Sequence, residues 1–150
     1  MQYWLMKTEP GAYSIDDLKR KGVDSWDGVR NYQARNFMQH MRVGDGVLFY
    51  HSSAHPTGVY GLATVAALAH PDQSQFDKNN THFDPKATQE KPIWYCVDVR
   101  FVKKCARPVS LEEIKRDKAL EGMLVRAPGS RLSVQPVSQK HFEHILGLSL

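Results

Sequence analysis

Three stretches of the chain carry side chains able to do chemistry. Lys7-Thr8-Glu9 sets an amine, a hydroxyl and a carboxylate in a row, the ingredients of nucleophilic hydrolysis. They follow an apolar run, Tyr3 to Met6, that reads as a strand. Strand alternation sends Lys7 and Glu9 to one face and Thr8 to the other, so the three converge only if the strand has already ended. The second stretch is Trp26-Asp-Gly-Val-Arg-Asn-Tyr-Gln-Ala-Arg-Asn36. Trp26 precedes a glycine turn, so a loop rather than a helix face places its ring, while Asn31, Tyr32, Arg35 and Asn36 crowd the first turn of the next helix. Free N–H groups and the positive dipole end of a helix start suit a phosphate. Arginine adds a bidentate donor, and Trp and Tyr add faces on which bases stack. Singly, each residue has a plainer use: Asn31 as a cap, Trp26 as core, Arg35 as a solvated charge. As a cluster they describe a binding site. The third stretch follows the Pro128-Gly129 turn: Leu132 and Val134 point to the core, and Arg131 and Ser133 share the opposite face with Ser130 at the turn. These three can reach a ligand side by side, or simply form an ordinary hairpin entry.

Metal chemistry finds little footing. His51 and His55 straddle a strand end and Pro56 instead of sharing a helix face, and neither HExxH nor CxxC occurs. No glycine-rich phosphate loop is present either, so neither metal nor cofactor is expected. Cys96 and Cys105, nine positions apart in one reading of a strand, fall on opposite faces about 30 Å apart, too far for a disulfide.

The elements that must position these groups are legible in outline. Ser14 caps a helix that has Asp16 and Asp17 in its first turn, Lys19, Arg20 and Lys21 in its last, and Gly22 as its stop. Ala34, Phe37, Met38 and Met41 follow helical spacing, giving a helix over 31–41. Val47 to Tyr50 reads as a buried strand, Val59 to Leu68 as its antiparallel partner, and 71–92 as a long polar excursion. A strand over 93–102 alternates Ile93, Tyr95, Val97, Val99 and Phe101 on one face. Ser110 and Glu113 form a capping box before a short helix, a strand runs from Arg131 to Gln135, and Ser138 caps a last helix. Antiparallel strands dominate, so the expected class is α+β: a single domain over 1–150, built as a closed or nearly closed, mainly antiparallel β-barrel with flanking helices. A net charge of +4 leans toward polyanionic partners. The opening MQYWLMKTEP lacks the features of a signal peptide, and no apolar run reaches membrane-spanning length; a cytoplasmic protein with no membrane partner is expected.

The phrases YWLMKTEP, YSIDDL, WDGVRNYQARN, GDGVLFYHS, QFD, VDVRFV, RPVSL and GSRLSVQPVS, collinear over nearly the whole chain, resemble those of the EVE-domain family in its compact bacterial form. That family sits in the PUA-like superfamily beside YTH and ASCH domains. The resemblance implies a PUA-like barrel with a central cleft that binds a modified base of DNA or RNA without catalysis. Trp26 is similar in position to one cage tryptophan of the YTH relatives, Lys7-Thr8 to their Lys-Ser pair, and His51 and Ser52 end a strand matching another pocket wall. Carried over, the pocket comprises Lys7, Thr8, Trp26, Asn31, Tyr32, Arg35, Asn36, His51, Ser52, Arg131 and Ser133, with Ser130 at the turn. A positively charged cleft between 26–36 and 130–133 is expected, able to take a sulfate, phosphate or sulfonate buffer anion. The alternative is an ASCH-like amidohydrolase acting on a modified nucleoside through Lys7, Thr8 and Glu9.

Overall fold

Local signals start and stop the helices. Ser14 Oγ accepts from the Asp17 N–H while the Asp17 carboxylate accepts from the Ser14 N–H, a reciprocal cap that fixes the start of α1 (Ile15–Lys21). Asn31 accepts from the Ala34 N–H and begins α2 (Tyr32–His40); Ser138 does the same through His141 for α4 (Gln139–Leu148). Ser110 caps α3 (Leu111–Arg116), but the expected box is only half made, because the Glu113 carboxylate turns outward to a two-pronged pair with Arg107.

The computed structural model describes residues 1–149. Its strands are β1 (Tyr3–Thr8), β2 (Val23–Ser25), β3 (Gly46–His51), β4 (Gly58–Pro71), β5 (Tyr95–Ser110) and β6 (Val134–Val137), in the sheet order β2-β5-β4-β3-β1-β6. All neighbours are antiparallel except β1 and β3, which run parallel from Tyr3↔Gly46 to Thr8↔His51. The class is mixed α+β, and the sheet is open where the sequence suggested a barrel. Among the described residues β2 pairs only with β5 and β6 only with β1. Both edges are blunted: β2 is three residues long, and Pro136 in β6 has no N–H to offer.

The long strands β4 and β5 carry four register shifts against each other, and bulges of this kind bend a sheet. Trp4 and Met6 of β1 therefore share one core with Val97 and Val99 of β5, although β3 and β4 lie between those strands. This inner core also holds Phe49, Met38 and Leu18. A second core on the outer face joins Leu5, Leu48 and Val59 to Ile114 of α3 and Ile145 of α4. β1 and β3 are covered on both sides, which is why their apolar runs are continuous and not alternating.

Two boundaries shifted for identifiable reasons. β5 begins at Tyr95, not at Ile93, because the buried Gln75 amide takes over the preceding backbone: its Oε1 accepts from the Ile93 and Trp94 N–H groups at 2.9 and 2.8 Å. The segment 71–92 is thus anchored by a buried side chain behind a 3-10 turn at Gln73–Phe76. β6 begins at Val134, three residues after the expected start; the stretch before it touches the sheet through the Lys7 N–H donating to the Ser133 carbonyl at 2.8 Å. Cys96 and Cys105 are both buried and free within β5.

Candidate functional site

The curvature brings β2, at one edge of the sheet, opposite β1 and the approach to β6 at the other. The gap between them is a cleft of about 530 Å³, within the range of small-molecule and base pockets. Lys7, Thr8 and Ser133 line it from one side; Asp24, Ser25, Trp26, Asp27 and Gly28 line it from the other, with Tyr13, Lys21, Arg30 and His82 around them. The missing closure of the barrel is therefore what makes the site.

Each wall residue is held by a nameable partner. Trp26 is almost wholly buried, its ring edge-on to Phe49 at 5.2 Å and its backbone N–H donating to the Val97 carbonyl at 2.8 Å. The Tyr13 hydroxyl donates to Asp24 at 2.7 Å, and burial and Asp24 together push its pKa far above the ordinary phenol range. The Ser25 hydroxyl donates to Asp98 at 2.8 Å. Lys7 reaches the Ser130 carbonyl at 3.1 Å and lies 5.7 Å from the Tyr50 ring centre, and burial lowers the pKa of its amine.

Behind the Trp26 loop sits a clamp formed with the 71–84 segment. Buried Asp72 accepts from the Gly28 N–H at 2.8 Å and from Arg30 at 3.1 Å, while Arg30 also donates to the Ser74 hydroxyl and the His82 carbonyl at 2.9 Å. Burial pushes the Asp72 carboxyl up, but the hydrogen bonds from Ser74, Gly28 and Arg30 outweigh it and hold the group below its usual range. Gly28 has φ +83°, a left-handed turn that favours glycine, and the His82 ring lies about 3.0 Å from where a Cβ would stand, so a side chain here would also have to push that ring back.

Of the residues singled out in sequence, Lys7, Thr8, Trp26 and Ser133 meet at this cleft. The others lie elsewhere. Asn31 is committed to its cap. Tyr32 stacks on Trp94 at 4.8 Å, Arg35 lies over both rings and donates to the Ile93 carbonyl at 2.9 Å, and Asn36 accepts from Arg35. His51 is buried, accepts from the Ile15 N–H at 3.2 Å and stacks on Tyr60, with burial depressing its pKa; its ring helps seat α1. Ser52 pairs its N–H with the Thr8 carbonyl, Ser130 accepts from Gln135, and Arg131 is exposed to solvent. The cleft is also not simply basic: Asp24 and Asp27 face Lys7 and Lys21, and the charge of Arg30 is answered by Asp72. Sequence reasoning passed over Tyr13, Asp24, Asp27, Arg30 and His82. The signal for Asp27 and Arg30 lay inside the motif already singled out, whereas His82 and Asp72 come from the polar excursion and had none.

Lys7, Thr8 and Glu9 do not converge into a hydrolytic triad. Lys7 donates to Ser130, the Thr8 hydroxyl makes a long 3.5 Å contact with the Glu9 carbonyl, and Glu9 does not line the cleft. Two further hollows flank α3, and most of the charges lining them are paired, Arg107 with Glu113, Arg116 with Glu112 and Asp117 with His144.

Comparison with known proteins gives a consistent picture. Over 164 aligned residues the chain is 42% identical to human thymocyte nuclear protein 1, covering 97% of this chain and 73% of that protein. A hypothetical protein of Leishmania major matches the fold with a TM-score of 0.96 at 48% identity, over 99% of this chain and 94% of that one. A structure of human THYN1 in complex with 5-methylcytosine-containing DNA matches with a TM-score of 0.90 at 39% identity, over 99% and 98% of the two chains. The EVE domain model matches residues 2–148, and the chain belongs to the EVE domain family.

Proposed function

We propose that this protein is a non-catalytic nucleic-acid-binding domain that takes a modified base of DNA or RNA into the cleft at the open seam of a PUA-like sheet. The observation that carries the reading is the cleft itself: a space of base-pocket size, lined by two aromatic residues, Trp26 and Tyr13, and two lysines, Lys7 and Lys21. A base withdrawn from a strand needs a flat apolar surface and a few polar groups for its edge, and its phosphates need cations. The relative with the solved complex, alike over nearly the full chain, was captured with 5-methylcytosine-containing DNA. Lys7 and Lys21 also offer an anion such as sulfate, phosphate or a sulfonate buffer a place at the cleft. The hydrolase alternative draws no support from the separated hydrogen bonds of Lys7, Thr8 and Glu9.

The test is a titration of fluorescently labelled DNA and RNA oligonucleotides, each carrying either one 5-methylcytosine or plain cytosine. Saturable binding that prefers the modified strand and weakens in Lys7→Ala supports the reading. Binding indifferent to both the modification and the cleft variant, or turnover of an acylated nucleoside, overturns it.

A further inference from the structure

Beyond the cleft, aromatic and basic side chains meet again where α2 packs against the start of β5. Trp94 is buried there, its backbone N–H held by Gln75 and its indole N–H donating to Asp84 at 2.9 Å. Tyr32 stacks on it with ring centres 4.8 Å apart, yet Tyr32 itself stays 59% exposed. The Arg35 guanidinium lies 4.8 Å from the Tyr32 ring centre and 5.9 Å from that of Trp94. These distances make a nearly equilateral triangle, so Arg35 flanks the stacked pair and does not cover the outer face of Tyr32. The Arg35 charge is also unanswered: its hydrogen bonds go to the neutral Asn36 amide oxygen and the Ile93 carbonyl, and among the described residues no carboxylate lies within ion-pair distance. Three of its five N–H groups are used in this way, which leaves two for another acceptor. Arg30, which lines the cleft, differs in being paired with Asp72. Its guanidinium lies 5.3 Å from the same Trp94 ring centre, so one buried ring joins the cleft wall to the exposed Tyr32.

We infer that Tyr32 and Arg35 form a second station for the strand whose base occupies the cleft: a neighbouring unpaired base stacks on the outer face of Tyr32, and a phosphate beside it pairs with Arg35. This rests on the base-binding function proposed above. An exposed aromatic ring takes any base, because every base has a π-face. A guanidinium with N–H groups to spare meets phosphate oxygens through charge-assisted hydrogen bonds. Both side chains are set before a strand arrives, Tyr32 by Trp94 and Arg35 by Ile93 and Asn36, so little rotamer freedom is left to lose on binding. A protein partner would instead call for a contiguous apolar patch. The residues around Tyr32 at the start of α2 are the exposed, polar Asn31, Gln33 and Asn36. The labour is thereby divided: the cleft holds the modified base, and the station holds the strand whatever its sequence.

The probes are single-stranded oligonucleotides carrying one 5-methylcytosine, with an abasic residue placed in turn at each neighbouring position. The wild-type protein is expected to lose about 10-fold in affinity at one such position, the worth of one base–aromatic stack, and to change little when that base is exchanged for another. Tyr32→Ala should lose about 10-fold on the complete strand and be indifferent to the abasic residue. Arg35→Gln should weaken binding to complete and abasic strands alike and flatten the dependence of log K on log salt by about 0.7, the share of one phosphate on a single strand. Two results overturn the second station and leave base binding standing. One is a wild-type protein that tolerates the abasic residue at every position. The other is an equal abasic penalty in the wild type and in a Tyr32→Ala protein shown by thermal melting to be folded. If the wild-type protein binds no 5-methylcytosine strand, the base-binding function fails and this inference with it.

Discussion

The two halves of the Trp26–Asn36 segment use the same kinds of residue for opposite purposes. Trp26 to Arg30 faces the cleft and is clamped from behind by Asp72. Asn31 to Asn36 turns away: Asn31 caps α2, and Tyr32 and Arg35 pile onto Trp94 and the Ile93 carbonyl. The dividing point is the cap itself. Once Asn31 accepts from the Ala34 N–H, the helix axis is set, and Ala34 and Met38 must face the core. The polar residues then cover the start of β5 and cannot also reach the cleft. A run of aromatic and basic residues thus reads as one site only until the chain is given its direction.

Four experiments could break or sharpen that division. The largest effect is expected from Trp26→Ala, which removes a buried ring from the inner core and should lower stability by about 3–5 kcal/mol in urea denaturation. Tyr32→Ala, at a residue 59% exposed, should cost about 1 kcal/mol, the size of an aromatic pair. Comparable losses from the two would erase the distinction. Next comes the arginine pair. Arg30→Ala strands the buried Asp72 carboxylate and should cost about 3 kcal/mol, whereas Arg35→Ala loses ring contacts worth about 1 kcal/mol.

The third experiment follows pH. The folded pKa of Asp72 lies below its unfolded value, so its stabilisation is fully present above about pH 3.9, the unfolded value, and is lost as pH falls through the folded one. The urea midpoint should therefore drop on acidification below that point, and Asp72→Asn should flatten part of the slope; the rest belongs to the likewise depressed Asp17, Asp45, Asp84, Asp98, Glu113 and Asp117. The smallest effect has the opposite sign. Asp27 has a raised folded pKa, so its contribution is present below the unfolded value and is lost as pH rises through the folded one. Asp27→Asn should then raise the melting temperature slightly at neutral pH. A lowered melting temperature would contradict a raised Asp27 pKa in the folded protein.

What was legible in the sequence was what chain neighbours decide. The caps at Ser14, Asn31, Ser110 and Ser138 act over three residues, and the apolar runs of β1 and β3 announce burial on both faces. The collinear motifs carried the family, and the presence of Lys7, Thr8, Trp26 and Ser133 at one cleft follows from the segments they flagged. The reciprocal bond expected of Glu113 failed because Arg107, on a different element, competed for it. What only the tertiary structure decided was everything that depends on distant partners. The parallel pairing of β1 with β3, the open seam in place of a closed barrel, and the bend from slipped register in β4 and β5 are set by sheet order. The clamp that orients the Trp26 loop joins Arg30 to Asp72 across 42 positions, and no local pattern reports a partner so far away. Local hydrogen bonds and periodicity are written in the spacing of neighbours. A cleft is made by which edges of the sheet fail to meet, and that is fixed only when the whole chain has packed.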